Sequence, residues 1–174
     1  TDDDYNELWS ASRLIQNPEL DLTAWHEKVV EIHTTSGLLA DLEARRGERP
    51  MAWQTCEAVE AYFVKILTDK FGADELRKAP LGGSSVQFDR EWLKVCMPNL
   101  IGLLHYRNAD VSGVGEFVKR DNPKSDARRR RQNPNAVVAH RAMDDIQYSI
   151  SQARYYRREV FSPSFLTRLR RLFG

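Results

Sequence analysis

The chain has 174 residues, of which 41% are hydrophobic and 29% are charged. This length and composition fit one soluble domain with its own core and exclude a disordered segment. The 26 basic and 25 acidic residues nearly cancel, but acids dominate the first 60 residues and arginines the C-terminal third. That asymmetry predicts an anionic partner for the C-terminal third.

Two further observations concern the compartment. Cys56 and Cys96 have neither metal-ligand spacing nor a disulfide-rich context, which favours a reducing cytoplasm. We find no signal peptide and no apolar run near the length of a transmembrane segment.

Periodicity divides the first part of the chain into one strand and three helices. We predict the strand at 6–15 and the helices at 23–33, 38–42 and 51–72. Thr23 is the expected N-cap of the first helix, and Thr35 or Ser36 that of the second. Gly72 is placed to end the third helix.

The second part alternates short strands with helices. We predict strands ending near Ser84 and around 106–111, and helices at 88–98, 112–120 and 139–161. Pro98 should close the first of these helices. The segment 121–135 has the composition of a loop and carries four consecutive arginines. That run is either a solvated surface or a phosphate-attracting one.

The helix predicted at 139–161 contains two adjacent acids that point in different directions. Its expected buried stripe consists of Met143, Ile146, Ile150, Ala153 and Val160. Asp145 lies at the edge of this stripe, whereas Asp144 points away from it. Both acids suit the positive end of a helix, but only Asp145 is placed to reach a cleft.

Common catalytic motifs are absent, which leaves a set of carboxylates. The histidines lack zinc-protease spacing, the LGGSS segment lacks the lysine of a phosphate loop, and no GxSxG occurs. Asp89 follows a predicted strand, and Asp145 lies five residues after His140. Such acids can hold two Mg²⁺ ions that activate water, and a histidine can accept its proton. Two aspartates alone are too few ligands.

Four segments carry a resemblance to a known family. They read HTTSGL at 33–38, SSVQFDREWLKVCMP at 84–98, LLHYRNADVS at 103–112 and AHRAMDDIQYSISQARYYR at 139–157. In this order they resemble the motifs of oligoribonuclease, a 3′-to-5′ exoribonuclease of the DEDD superfamily, in its histidine-containing DEDDh subgroup. The likeness covers most of residues 7–161.

The resemblance implies an α/β, ribonuclease H-like exonuclease fold with a mixed sheet flanked by helices. The exonuclease domain would span 1–161, and 162–174 would form a basic amphipathic tail that docks on the domain, joins a dimer or lies on an acidic surface. The implied activity is hydrolysis of short RNA oligonucleotides to 5′-mononucleotides, with two Mg²⁺ or Mn²⁺ ions, by a homodimer.

Residue roles follow from the matched motifs. Asp89 and Asp145 would bind metal, and His140 would be the general base. The substrate-binding residues implied are His33 at the scissile region, Tyr106 stacking on a base, and Ser85, Arg107 and Ser112 capping the 5′ phosphate. Tyr106 and Arg107 would act across the dimer interface.

The chain departs from the family in one motif, because no DxE pair occurs on an apolar strand. Asp2, Asp3 and Asp4 do not replace it, and we expect the N-terminal strands that carry it to be missing from these residues. Two alternatives stay open. One is a catalytically inactive module that binds nucleotides or a partner, and the other is a helical interaction protein whose acids only cap helices.

Overall fold

The described part of the chain consists of helices around one pair of strands. A computed structural model describes residues 1–15, 21–44, 55–132 and 140–161. A 3₁₀ turn spans Leu22–Ala24. The helices are α1 (Glu27–Thr35), α2 (Leu38–Glu43), α3 (Cys56–Phe71), α4 (Ala73–Leu76), α5 (Gln87–Cys96), α6 (Pro98–Leu103), α7 (Val111–Asp121), α8 (Pro123–Gln132) and α9 (Ala142–Tyr155). A π-helical segment, Tyr156–Phe161, continues α9.

Strands β1 (Pro80–Gly83) and β2 (His105–Asp110) pair in parallel. The register sets Gly83 opposite Asp110, with an irregularity after Pro80. Helices α5 and α6 form the crossover between the strands. Because parallel strands end at the same edge of a sheet, the residues after Gly83 and after Asp110 meet there.

Two buried charged side chains fix this crossover. Arg90 of α5 is 7% exposed, and its guanidinium donates to the carbonyl oxygens of His105 and Arg107 at 2.9 and 3.0 Å. Glu60 of α3 accepts from the backbone N–H of Asn99 at 2.6 Å, at the start of α6. Burial raises the pKa of Glu60, but hydrogen bonds from the first turn of α6 outweigh it and hold the pKa below its ordinary value.

Helices α7, α8 and α9 enclose a small core. Val118 of α7 packs there with Tyr155 and Tyr156, which are 5% and 2% exposed. The Tyr155 hydroxyl donates to the carbonyl of Ser125 at 2.7 Å and so ties α8 to α9. The predicted stripe of α9 is therefore wrong at Ile146, which is half exposed.

The segment 6–15, predicted as a strand, forms no strand. Its side chains instead contact α3, where the Trp9 ring meets Phe63 edge-on at 6.0 Å and Arg13 donates to the Tyr62 hydroxyl at 2.6 Å. A strand requires a neighbouring backbone, and the described sheet has only two strands, which pair with each other.

The prediction of a loop at 121–135 is wrong for 123–132, which form α8, while 133–135 lie outside the described residues. Thr23 is not the N-cap of α1, since His26 holds that position and accepts from the Lys28 N–H at 3.2 Å. The predictions for α5, β1, β2 and α7 are confirmed, and α3 ends at Gly72. Residues 162–174 lie outside the described residues.

Candidate active site

The carboxyl edge of the sheet holds a cluster of two serines and one aspartate. Asp110 is the N-cap of α7, and its Oδ1 accepts from the Ser112 hydroxyl at 2.6 Å and from the Ser85 N–H at 3.2 Å. The two hydroxyl oxygens of Ser85 and Ser112 lie 3.4 Å apart. Two predicted phosphate-capping residues, 27 positions apart in sequence, therefore meet.

The charge of Asp110 is stabilised by this arrangement. Burial raises the pKa of its carboxyl group, but the hydrogen bonds from Ser112, Ser85 and Gly113 prevail and lower the pKa below its ordinary value. Ser85 has a positive φ of 55°, which is unusual for a residue with a side chain. The strained backbone turns the Ser85 N–H toward Asp110.

Helix α9 joins this edge through a pair of hydroxyl groups. Ser84 and Ser149 hydrogen-bond through their Oγ atoms at 3.0 Å. The Ser149 hydroxyl also lies 2.9 Å from the backbone carbonyl of Asp145, to which it donates. Asp145 thus lies one turn from the contact with the sheet. It is half-buried whereas Asp144 is exposed, which confirms the predicted difference between the two acids.

Asp89 reaches the same side of the molecule from α5. It lies in the first turn of that helix and is exposed. Arg90, the next residue, is anchored to the backbone of β2, so the helix that carries Asp89 is fixed against the sheet. Asp89 and Asp145 therefore extend from two helices that both contact β1 or β2 near their carboxyl ends.

The histidines belong to a second set of elements near the start of α9. Arg141, the N-cap residue of α9, forms an ion pair with Asp41 of α2 at 2.6 Å. Helix α2 packs on α1, where the His33 ring meets Trp25 edge-on at 5.7 Å and its Nδ1 is buried without a hydrogen-bond partner among the described residues. The pair places the helices of His33 beside the His140 backbone.

Tyr106 and Arg107 stand on β2 and face outward. Tyr106 is 72% exposed. The Arg107 Nε donates to the Tyr106 hydroxyl at 3.1 Å, and the guanidinium lies 5.5 Å from the Tyr106 ring centroid. The two side chains contact each other and are not joined by any described hydrogen bond to Ser85 or Ser112.

Comparison with known proteins supplies the decisive observation. No protein-family model matches the chain. The chain is 39% identical over 150 residues to oligoribonuclease of Streptomyces coelicolor, which covers 86% of this chain and 68% of that protein. It is 38% identical over 164 residues to oligoribonuclease of Streptomyces griseus, covering 94% and 75% respectively. The chain belongs to the oligoribonuclease family. Its architecture is accordingly the α/β ribonuclease H-like fold that the motifs implied.

Family membership does not by itself complete the metal site. Among the residues that the structure describes, no group of three or more His, Cys, Asp or Glu side chains could hold a metal ion. Asp4 is occupied elsewhere, since it pairs with Arg157 at 2.7 Å. This agrees with the prediction that the N-terminal acids do not replace DxE.

Sequence reasoning missed two residues that organise the site. Asp110 precedes a helix start and is a typical N-cap residue, so its position was a usable signal. The ion pair between Arg141 and Asp41 joins residues 100 positions apart, and no local pattern indicates it.

Proposed function

We propose that this chain is a 3′-to-5′ exoribonuclease that hydrolyses short oligoribonucleotides to 5′-mononucleotides in the cytoplasm. One observation carries the proposal. In a member of the oligoribonuclease family, the carboxyl edge of the sheet brings Ser85 and Ser112 together between the helices of Asp89 and Asp145. Hydroxyl donors beside carboxylates suit a ligand that carries phosphate groups and cations. The two free cysteines, Cys56 and Cys96, accord with a reducing compartment.

The metal requirement is part of the same proposal. Asp89 and Asp145 have the hard oxygen donors that Mg²⁺ and Mn²⁺ prefer, so the donor type fits, but two carboxylates are too few for two ions. Further ligands have to come from outside the described residues. The roles that follow therefore concern only the side chains of this chain.

Each remaining residue has a proposed role in binding or proton transfer. His140 is exposed at the start of α9 and would accept the proton of the attacking water on an imidazole nitrogen. His33 would contact the scissile region. Ser85 would donate to the 5′ phosphate, with Ser112 and Arg107 completing the cap, and the exposed Tyr106 ring would stack on a base.

We also propose a homodimer. Helix α5 presents three exposed apolar side chains at helical spacing, Phe88, Trp92 and Val95, which are 75%, 49% and 81% exposed. Positions separated by four and seven residues form one stripe. Such a stripe, near the exposed Tyr106, suits burial against a second copy, which would carry Tyr106 and Arg107 to the neighbouring site.

The alternative is a catalytically inactive module that binds short nucleotides. It is favoured by the lack of a group of three metal ligands in the described ranges. Such a protein would bind a dinucleotide through Ser85 and Tyr106 without cleaving it.

A labelled oligoribonucleotide distinguishes the two functions. A 5′-labelled RNA pentamer should shorten one nucleotide at a time in Mg²⁺ or Mn²⁺, and a dinucleotide should yield labelled 5′-mononucleotide. Addition of EDTA should stop both reactions. Immediate release of the labelled end nucleotide would show the opposite direction of attack. Binding of the dinucleotide, measured by fluorescence anisotropy, without any hydrolysis would establish the inactive module instead.

A further inference from the structure

Helix α8 presents an outward row of positive charges. Lys124, Arg128 and Arg131 occupy positions separated by four and seven residues and are exposed, so they lie on one face of the helix. The opposite face contains Ser125 and Asp126, which are 8% and 6% exposed. We call Lys124, Arg128 and Arg131 the α8 cationic row.

The four consecutive arginines divide into two pairs with different environments. Arg129 is largely buried, with a side chain 14% exposed, and pairs with Asp126 at 2.9 Å. It also donates to the Tyr148 hydroxyl and to Gln152 of α9. Arg130 pairs with the other oxygen of Asp126 at 2.9 Å. These two arginines hold α8 in place.

The α8 cationic row is poorly neutralised. Arg128 approaches Glu159 at 3.6 Å, a carboxylate that also pairs with Arg158 at 2.7 Å. Within the described ranges, Lys124 and Arg131 form no ion pair. The row therefore keeps most of its positive charge toward solvent.

Helix stability does not explain this row. Like charges one turn apart destabilise a helix, and Lys124 lies in the first turn, where the helix dipole disfavours a cation. The contacts of Arg129 and Asp126 nevertheless hold α8 rigid. A rigid display of unneutralised cations is preorganised for an anionic ligand.

We propose that the α8 cationic row binds the phosphate backbone of single-stranded RNA outside the candidate active site. This inference rests on the proposed exoribonuclease function. The row contains neither an aromatic side chain that could stack on a base nor an apolar one that could enter a membrane or a protein pocket. Phosphates are therefore the ligand that fits it, without regard to sequence.

The row also implies a length dependence. At about 1.5 Å per residue, Lys124 and Arg131 lie about 10 Å apart along the helix. A dinucleotide has too few phosphates to occupy both the candidate active site and this row. RNA of ten or more nucleotides should therefore gain affinity from the row, whereas dinucleotide hydrolysis should not depend on it.

The test compares two triple variants of the full 174-residue chain. The first is Lys124→Ala/Arg128→Ala/Arg131→Ala. The matched control, Lys65→Ala/Lys70→Ala/Lys78→Ala, removes three exposed cations from other parts of the fold. Binding of a fluorescein-labelled 20-nucleotide RNA is measured by anisotropy in EDTA at several salt concentrations.

We expect the first variant to bind RNA about 10- to 100-fold more weakly at 0.1 M salt, and its salt dependence to fall by about two in slope, since each single-strand phosphate contact contributes about 0.7. The control should match the parent, and Arg128→Lys/Arg131→Lys should retain binding. Unchanged RNA binding in the first variant, or equal loss in both triple variants, overturns the proposal. Loss of binding to phosphatidylserine vesicles alone overturns it as well.

The same proteins keep the two proposals separate. Dinucleotide hydrolysis in Mg²⁺ should be the same in the parent and both triple variants. If no protein cleaves the dinucleotide, the proposed function fails, whereas the RNA-binding comparison still decides the role of the α8 cationic row.

Discussion

Asp110 determines what the two neighbouring serines can offer a ligand. Its Oδ1 accepts from the Ser112 hydroxyl at 2.6 Å, so the proton of Ser112 is already engaged. Ser85 retains a hydroxyl that contacts only the Ser112 oxygen, at 3.4 Å. The Ser85 hydroxyl is therefore the better donor to a 5′ phosphate, while Ser112 and Asp110 fix its position.

Replacing Ser85 by alanine should weaken recognition of the 5′ phosphate. A hydrogen bond to a charged group contributes about 1.5–3 kcal/mol, so the preference in KM for 5′-phosphorylated over 5′-hydroxyl dinucleotide should fall about 10- to 100-fold. Ser84→Ala is the control, because the Ser84 hydroxyl bonds to Ser149 instead. An unchanged preference in Ser85→Ala would contradict the proposed cap.

At the scale of elements, the sequence predicted those whose ends are marked by local residues. Gly72 ends α3 with a positive φ of 76°, and Pro98 stands at the boundary between α5 and α6. Helix α8 was missed because four arginines and two flanking prolines are typical of a loop. Its start nevertheless had a signal, since the Asn122 side chain accepts from the Ser125 N–H at 3.2 Å, with a proline at the first helical position.

The packing of α7 on the π-helical segment depends on a glycine. A Cβ at Gly115 would lie 2.9 Å from the Tyr156 hydroxyl oxygen. That ring is buried and rigid, and burial raises the pKa of its hydroxyl group. Gly113, in the same helix, has no atom within 4 Å of such a Cβ.

We expect Gly115→Ala and Gly113→Ala to change stability in opposite directions. Overpacking against Tyr156 should lower the free energy of unfolding by about 1–2 kcal/mol, whereas Gly113→Ala should raise it by up to about 1 kcal/mol through helix propensity. Urea denaturation measures both. The Gly115→Ala loss should shrink in a Tyr156→Phe background, and a loss of the same size in both backgrounds would rule out the contact.

At the scale of the whole molecule, the N-terminal segment lies along α9. Glu7 accepts from Gln147 at 2.6 Å, the carbonyl of Tyr5 from Arg154 at 2.7 Å, and Asp4 pairs with Arg157 at 2.7 Å. Sequence showed only that acids collect near one end and arginines near the other. It could not show which pairs form, because the partners are about 140–150 positions apart.

The same reason limits what sequence showed of the candidate site. Residue types and motifs identified Ser85, Ser112 and Asp145, and the structure places the two serines together and leaves Asp145 half-buried. The hydroxyl pair of Ser84 and Ser149, which brings α9 to the sheet, depends on tertiary packing over 65 positions. No propensity or periodicity encodes such a contact.

The proposed homodimer is tested by a charge in the apolar stripe of α5. Val95→Lys places an ammonium group where the second copy should pack, so sedimentation should show a monomer. Hydrolysis should fall with it, because Tyr106 and Arg107 would no longer reach the neighbouring site. Ala61→Lys, at an exposed position of α3, is the control. A Val95→Lys protein that sediments like the parent would place the interface elsewhere.

The most direct test compares the two adjacent acids of α9 in the dinucleotide assay. Asp145→Asn should lower the hydrolysis rate by more than about a hundredfold, the upper range for groups that merely support a metal ligand. Asp144→Asn, which changes an exposed side chain of the same size and charge in the same helical turn, should stay within about twofold of the parent. If both variants cleave the dinucleotide at the parent rate, or lose activity equally, Asp145 is not the metal-binding residue and the proposed active site is wrong.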